Sequence, residues 1–69
     1  MAATQTFMVT GMTCEHCRAA VSEEVARIQG VSNVDVDLAS GRLTVTGEDI
    51  SARAVRDAVE EAGYELADS

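Results

Sequence analysis

A chain of 69 residues without a proline has room for one small domain. Its 46% apolar content rules out a disordered composition, although a chain this short buries only about 60% of its unfolded surface and gains modest stability. Twelve carboxylates stand against five arginines and no lysine, a formal charge of -7. That balance excludes DNA, RNA and anionic lipid, each of which needs a basic footprint.

With Phe7 and Tyr64 as its only aromatics, the chain also lacks the side chains on which nucleic-acid bases stack. The negative charge suits a partner with a basic docking patch, found by electrostatic steering. It serves solubility equally well, and the two readings part on whether the charge gathers on one face. No apolar stretch approaches the roughly 18 residues of a membrane span, and Met1-Ala2-Ala3-Thr4-Gln5-Thr6 lacks the basic and apolar parts of a signal peptide. The expected location is the cytoplasm, where the cysteines stay reduced.

In chain order, Gln5–Thr10 reads as a strand with Phe7 and Val9 on one face, broken by Gly11. From about Glu15 to Gln29, Cys17, Val21, Val25 and Ile28 recur at helical spacing, and Gly30 supplies the stop. Val34, Val36 and Leu38 alternate with Asp35 and Asp37 in a half-exposed strand. Ala39-Ser40-Gly41 is a turn, and Leu43 and Val45 alternate with threonines in the hairpin partner. Ser51 caps a second helix whose stripe is Val55, Ala58, Val59 and Ala62; Gly63 ends it, and Tyr64-Glu65-Leu66-Ala67 forms a closing strand. One apolar stripe per helix and one apolar face per strand predict an α+β fold. It is the ferredoxin-like βαββαβ sandwich, a four-stranded antiparallel sheet with both helices on one face.

The chemistry concentrates in Gly11-Met12-Thr13-Cys14-Glu15-His16-Cys17, which holds both cysteines. Cys14 falls in the loop and Cys17 in the first helical turn. There the unpaired N–H groups and the positive end of the helix dipole favour ionised sulfur. A three-residue spacing at a helix start lets both sulfurs reach one ion. Thiolates select soft or borderline metals. Zinc takes four ligands, and two cysteines with one histidine cannot supply them; copper(I) is content with two sulfurs. A structural disulfide closing so small a loop would add little stability.

This motif after a strand, within a βαββαβ pattern, resembles the heavy-metal-associated domain, and within it the CopZ-type bacterial copper chaperones. The resemblance runs from about Thr6 to Ala67, so residues 1–69 are expected to form a single such domain. It implies metal ligation by Cys14 and Cys17, copper(I) as the cargo, and no enzymatic activity. Delivery is expected by ligand exchange to the metal-binding domains of a copper-transporting P-type ATPase, with a copper-sensing repressor as a second recipient. The Gly63-Tyr64 pair looks like the bacterial members, where a tyrosine sits near the metal loop. Thr13 stands where zinc- and cadmium-handling relatives often carry an acid, which favours copper.

The neighbouring residues have competing roles. Met12 either ligates or, by preference, fills core space below the loop. His16 either tunes or ligates the site, or faces solvent; the solvent-facing reading is preferred. Arg18 either offsets the charge of a copper bis-thiolate or is a solvated helix residue. Tyr64 is expected to shield the loop or hydrogen-bond a cysteine sulfur. The start at Met1 reads as a free-standing protein, monomeric without metal and open to copper-bridged dimers. A domain excised from a P-type ATPase, a mercury or zinc carrier, and a thiol–disulfide redox protein are the alternatives. The last is disfavoured by a chain shorter than the thioredoxin fold requires and by the lack of a proline.

Overall fold

The computed structural model describes residues 2–12 and 14–67. Four strands and two helices follow in the order β1 (Ala3–Thr10), α1 (Glu15–Ala26), β2 (Val31–Asp37), β3 (Arg42–Gly47), α2 (Ala52–Glu61) and β4 (Glu65–Leu66). The strands lie side by side as β2-β3-β1-β4, every pairing antiparallel. This is the expected ferredoxin-like arrangement. It places the first and third strands at the centre of the sheet.

One core joins the sheet to both helices. Val9, Val36, Leu43 and Val45 from the strands meet Val21 and Val25 of α1 and Val55, Ala58 and Val59 of α2. Alternation along β3 produces this directly: Leu43, Val45 and Gly47 are buried while Arg42 is exposed. The opposite face of the sheet is polar, and Thr4 and Thr46 meet across it, hydroxyl to hydroxyl, at 3.3 Å.

Helix α2 begins where the sequence predicts. The Ser51 hydroxyl accepts hydrogen bonds from the backbone N–H groups of Arg53 at 3.1 Å and Ala54 at 3.3 Å. Ser51→Ala is therefore expected to cost about 1 kcal/mol, which lowers the melting midpoint of so small a domain by roughly 4–8 °C. Thermal denaturation followed by circular dichroism checks this, and an unchanged midpoint would remove the cap from the list of stabilising contacts. The helix ends on Gly63 at φ 97. The Gly63 N–H bonds to Glu60 O at 2.9 Å and the Tyr64 N–H reaches back to Val59 O at 3.1 Å, a Schellman closure that only a residue tolerant of positive φ permits.

Several boundaries differ from expectation. Strand β1 begins at Ala3, two residues before Gln5. Helix α1 ends at Ala26 rather than near Gln29. The Arg27 and Ile28 N–H groups bond three residues back, to Glu24 O and Val25 O, so the last turn tightens while Ile28 still packs on the core. Strand β2 begins earlier, at Val31, through a bulge between Val31 and Asn33. Strand β4 is only Glu65–Leu66, with one further backbone bond from Ala67 N–H to Met8 O at 2.7 Å.

Candidate metal centre

Both cysteines sit where β1 gives way to α1. Gly11 leaves the strand at φ 86, a left-handed conformation that favours glycine. Met12 then drops into the core, 8% exposed, as its preferred reading held, and pins the loop from below. Thr13 lies outside the described residues. Cys14 is the N-cap of α1, with extended backbone and no side-chain capping bond. Its carbonyl accepts the first helical bond from Arg18 N–H at 3.1 Å, and its sulfur is left unused by the helix.

Cys17, three residues on, is half-buried and packs against the core, whereas Cys14 is exposed. Their sulfurs lie 2.9 Å apart and are not joined as a disulfide. Two sulfur donors thus converge at one point of the surface. Among the described residues no group of three or more His, Cys, Asp or Glu side chains is arranged to hold a metal. His16 is exposed in the first turn and belongs to no such group. Arg18 turns to Glu15 instead of the sulfurs, donating to Oε1 from Nε at 3.1 Å and Nη2 at 2.9 Å.

Tyr64 closes the site from the other half of the fold. Its Cδ1 lies 3.4 Å from where a Cβ on Gly11 would stand, so the ring covers the loop at its bend. A hydrogen bond to Cys17, above all, raises the phenol above its ordinary value of 10.0, with burial and the neighbouring Cys17 and Cys14 adding to the effect. Because Tyr64 is the only tyrosine and tryptophan is absent, phenolate absorbance reports this group alone. In the reduced protein its titration midpoint is expected above 10.0, moving back towards the ordinary value in Cys17→Ala. An unmoved midpoint would separate Tyr64 from the sulfur.

The sequence located the sulfurs through their spacing and Tyr64 through its family resemblance. The Glu15–Arg18 pairing was missed, and its signal is opposite charges three residues apart on a helix. A surface depression lined by Ile28, Gly30, Glu48, Asp49, Ser51 and Ala54 lies at the other end of α1 and contains no sulfur.

Comparison with known proteins agrees with this fold. The profile of the heavy-metal-associated domain matches residues 6–65. The copper chaperone CopZ of Staphylococcus saprophyticus is 38% identical over 66 residues, which cover 93% of this chain and 97% of that protein. A solved CopZ metallochaperone superposes with a TM-score of 0.89 at 33% identity, covering 93% of this chain and 98% of the other. A copper binding domain from a P-type ATPase superposes with a TM-score of 0.88 at 28% identity, covering 96% and 90%. With its profile, its relatives and its fold in agreement, this chain belongs to the heavy-metal-associated domain family.

Proposed function

We propose that this chain, acting as a single domain over residues 1–69, is a cytosolic carrier of copper(I). In this reading Cys14 and Cys17 are its two ligands, and it delivers its cargo to the metal-binding domains of a copper-transporting P-type ATPase. The carrying observation is the pair of sulfurs 2.9 Å apart at the surface, with no third His, Cys, Asp or Glu grouped beside them among the described residues. Two soft donors without a third suit copper(I) and leave zinc short of ligands. The likeness to chaperones named for copper, and to a copper binding domain of a P-type ATPase, supports both the cargo and the recipient.

Transfer in this reading is exchange and not turnover. A recipient thiolate adds to the two-coordinate ion, a sulfur–copper bond to one cysteine breaks, and a second exchange releases the other. No electrons move, and each thiolate lost from copper is replaced by one gained. Access at Cys14 lets the recipient approach, while Cys17, on the helix and against the core, holds the ion in register.

The test is an anaerobic copper(I) titration of the reduced protein against a coloured copper(I) chelator, with Cys14→Ser, Cys17→Ser beside it. Uptake of about one copper per chain, lost in the double variant, supports the carrier. Copper left wholly with the chelator would overturn it and turn attention to the dithiol–disulfide couple that the same spacing allows.

A further inference from the structure

Strand β1 is held unevenly where it reaches the cysteine loop. From Ala3 to Met8 its residues face partners in β3, but β3 begins only at Arg42, opposite Met8. Beyond Met8 that side is continued by Gly41 of the β2–β3 turn, whose carbonyl accepts from the Val9 N–H at 2.8 Å. On its other side Val9 pairs with Leu66 of β4, a strand of two residues. The loop bends at Gly11, two residues further on.

Gly41 stands at φ 75, in a region that asparagine also enters, so conformation alone does not demand glycine here. The contact does. A Cβ at this position would lie 2.8 Å from Val9 O, and a backbone oxygen cannot swing aside as a side-chain tip can. The turn has little room to give. Its Gly41 N–H bonds to Asp37 O at 2.8 Å, Ala39 N–H to Asp37 Oδ1 at 3.0 Å and Arg42 N–H to Ser40 Oγ at 3.3 Å. Leu38 of the same turn packs on the core. The end of β1, secured opposite by two residue pairs with β4, is the weaker side. Any side chain at position 41 therefore displaces Val9, and with it the bend that leads to Met12 and Cys14.

We propose that Gly41 is a positioning residue of the metal centre: without a side chain, it lets the β2–β3 turn clamp Val9 and so sets the level at which β1 delivers the cysteine loop. This deepens the carrier reading and rests on it. Cys17 is held through α1, which Val21 and Val25 fix to the core, whereas Cys14 caps that helix at the end of the loop. Displacement at the base of the loop thus acts on the separation of the two sulfurs, which an ion bound by both must span.

The experiment compares Gly41→Asn with Gly30→Asn. Gly30 also has positive φ, and a Cβ there would run into Glu48 O, but it lies beyond the other end of α1. Asparagine keeps left-handed backbone accessible, so each variant mainly adds a contact. Stability is read by urea denaturation, copper(I) affinity by chelator competition on folded protein, and loop geometry by amide chemical shifts. Both variants are expected to lose stability. Only Gly41→Asn weakens copper binding, by about tenfold, as loss of an outer partner of a metal ligand does, and only it moves the amide resonances of Gly11, Met12 and Cys17. In the parent, the Val9 N–H should exchange with solvent far more slowly than the Ala67 N–H, which bonds to Met8 O on the β4 side. That comparison decides the matter if Gly41→Asn does not fold. Unchanged affinity in Gly41→Asn, an equal loss in both variants, or like exchange of Val9 and Ala67 would each overturn the role of Gly41 while leaving the carrier intact. A parent that takes up no copper would overturn the carrier, and with it any metal centre for Gly41 to position.

Discussion

Cys14→Ser is expected to destroy tight copper binding while making the metal-free protein more stable. Cys14 is the N-cap of α1, but its sulfur makes no capping hydrogen bond. Serine is among the best N-cap residues, and its oxygen would accept from an otherwise unpaired N–H of the first turn, a gain of about 1 kcal/mol. Removal of one of two ligands should weaken copper binding by far more than the roughly 100-fold that follows loss of an outer partner of a metal ligand. Cys17→Ser should abolish binding equally but move stability the other way. That side chain packs against the core, where a hydroxyl is a poorer fit than a thiol, and Tyr64 would lose its sulfur partner. Chelator competition and urea denaturation on the two single variants separate these outcomes. Loss of stability in Cys14→Ser would mean that the cap position is strained in a way the backbone angles do not show.

The largest effect on folding is expected from Leu43→Ala. Leu43 is completely buried and lies in β3, with Phe7 of β1 on one side and Val36 of β2 on the other. Truncating a buried leucine costs about 2–5 kcal/mol through lost transfer energy and the cavity left behind. A 69-residue domain has only about 3–10 kcal/mol in total. The variant should therefore be partly unfolded at room temperature, with its urea midpoint shifted by 1 M or more, about 2 kcal/mol divided by the slope of small domains. A midpoint within a few tenths of the parent's would show that the helices collapse into the gap. Copper should restore part of the loss by mass action, in proportion to how much more tightly it binds the folded site than the same two cysteines in the unfolded chain.

What could be read from the sequence depended on whether the signal was local. Helix α2 was legible to its ends because Ser51, the four-residue apolar stripe and Gly63 each announce themselves within one turn. The end of α1 was misplaced because Ile28 keeps helical spacing and core contact although its N–H already bonds only three residues back. Strand β4 was overextended because its length is set by the partner strand, which is remote in sequence. The cysteine spacing placed both sulfurs correctly. The contact of Tyr64 with Gly11 joins residues fifty-odd positions apart, and without the family resemblance nothing near either residue would have revealed it.

The brevity of β4 has a bearing on timing. Tyr64 is held between the closure of α2 and a strand of two residues, secured to β1 by its two residue pairs and the Ala67–Met8 bond. Few buried contacts and few backbone bonds mark a segment that opens alone, without the rest of the molecule. The cover over the cysteine loop can thus lift and settle many times within the lifetime of one folded molecule. The central strands, anchored by Leu43 and Val45, stay shut throughout. A domain this small achieves in that way what larger proteins do with a hinged lid: a guarded surface on one clock and a durable scaffold on another.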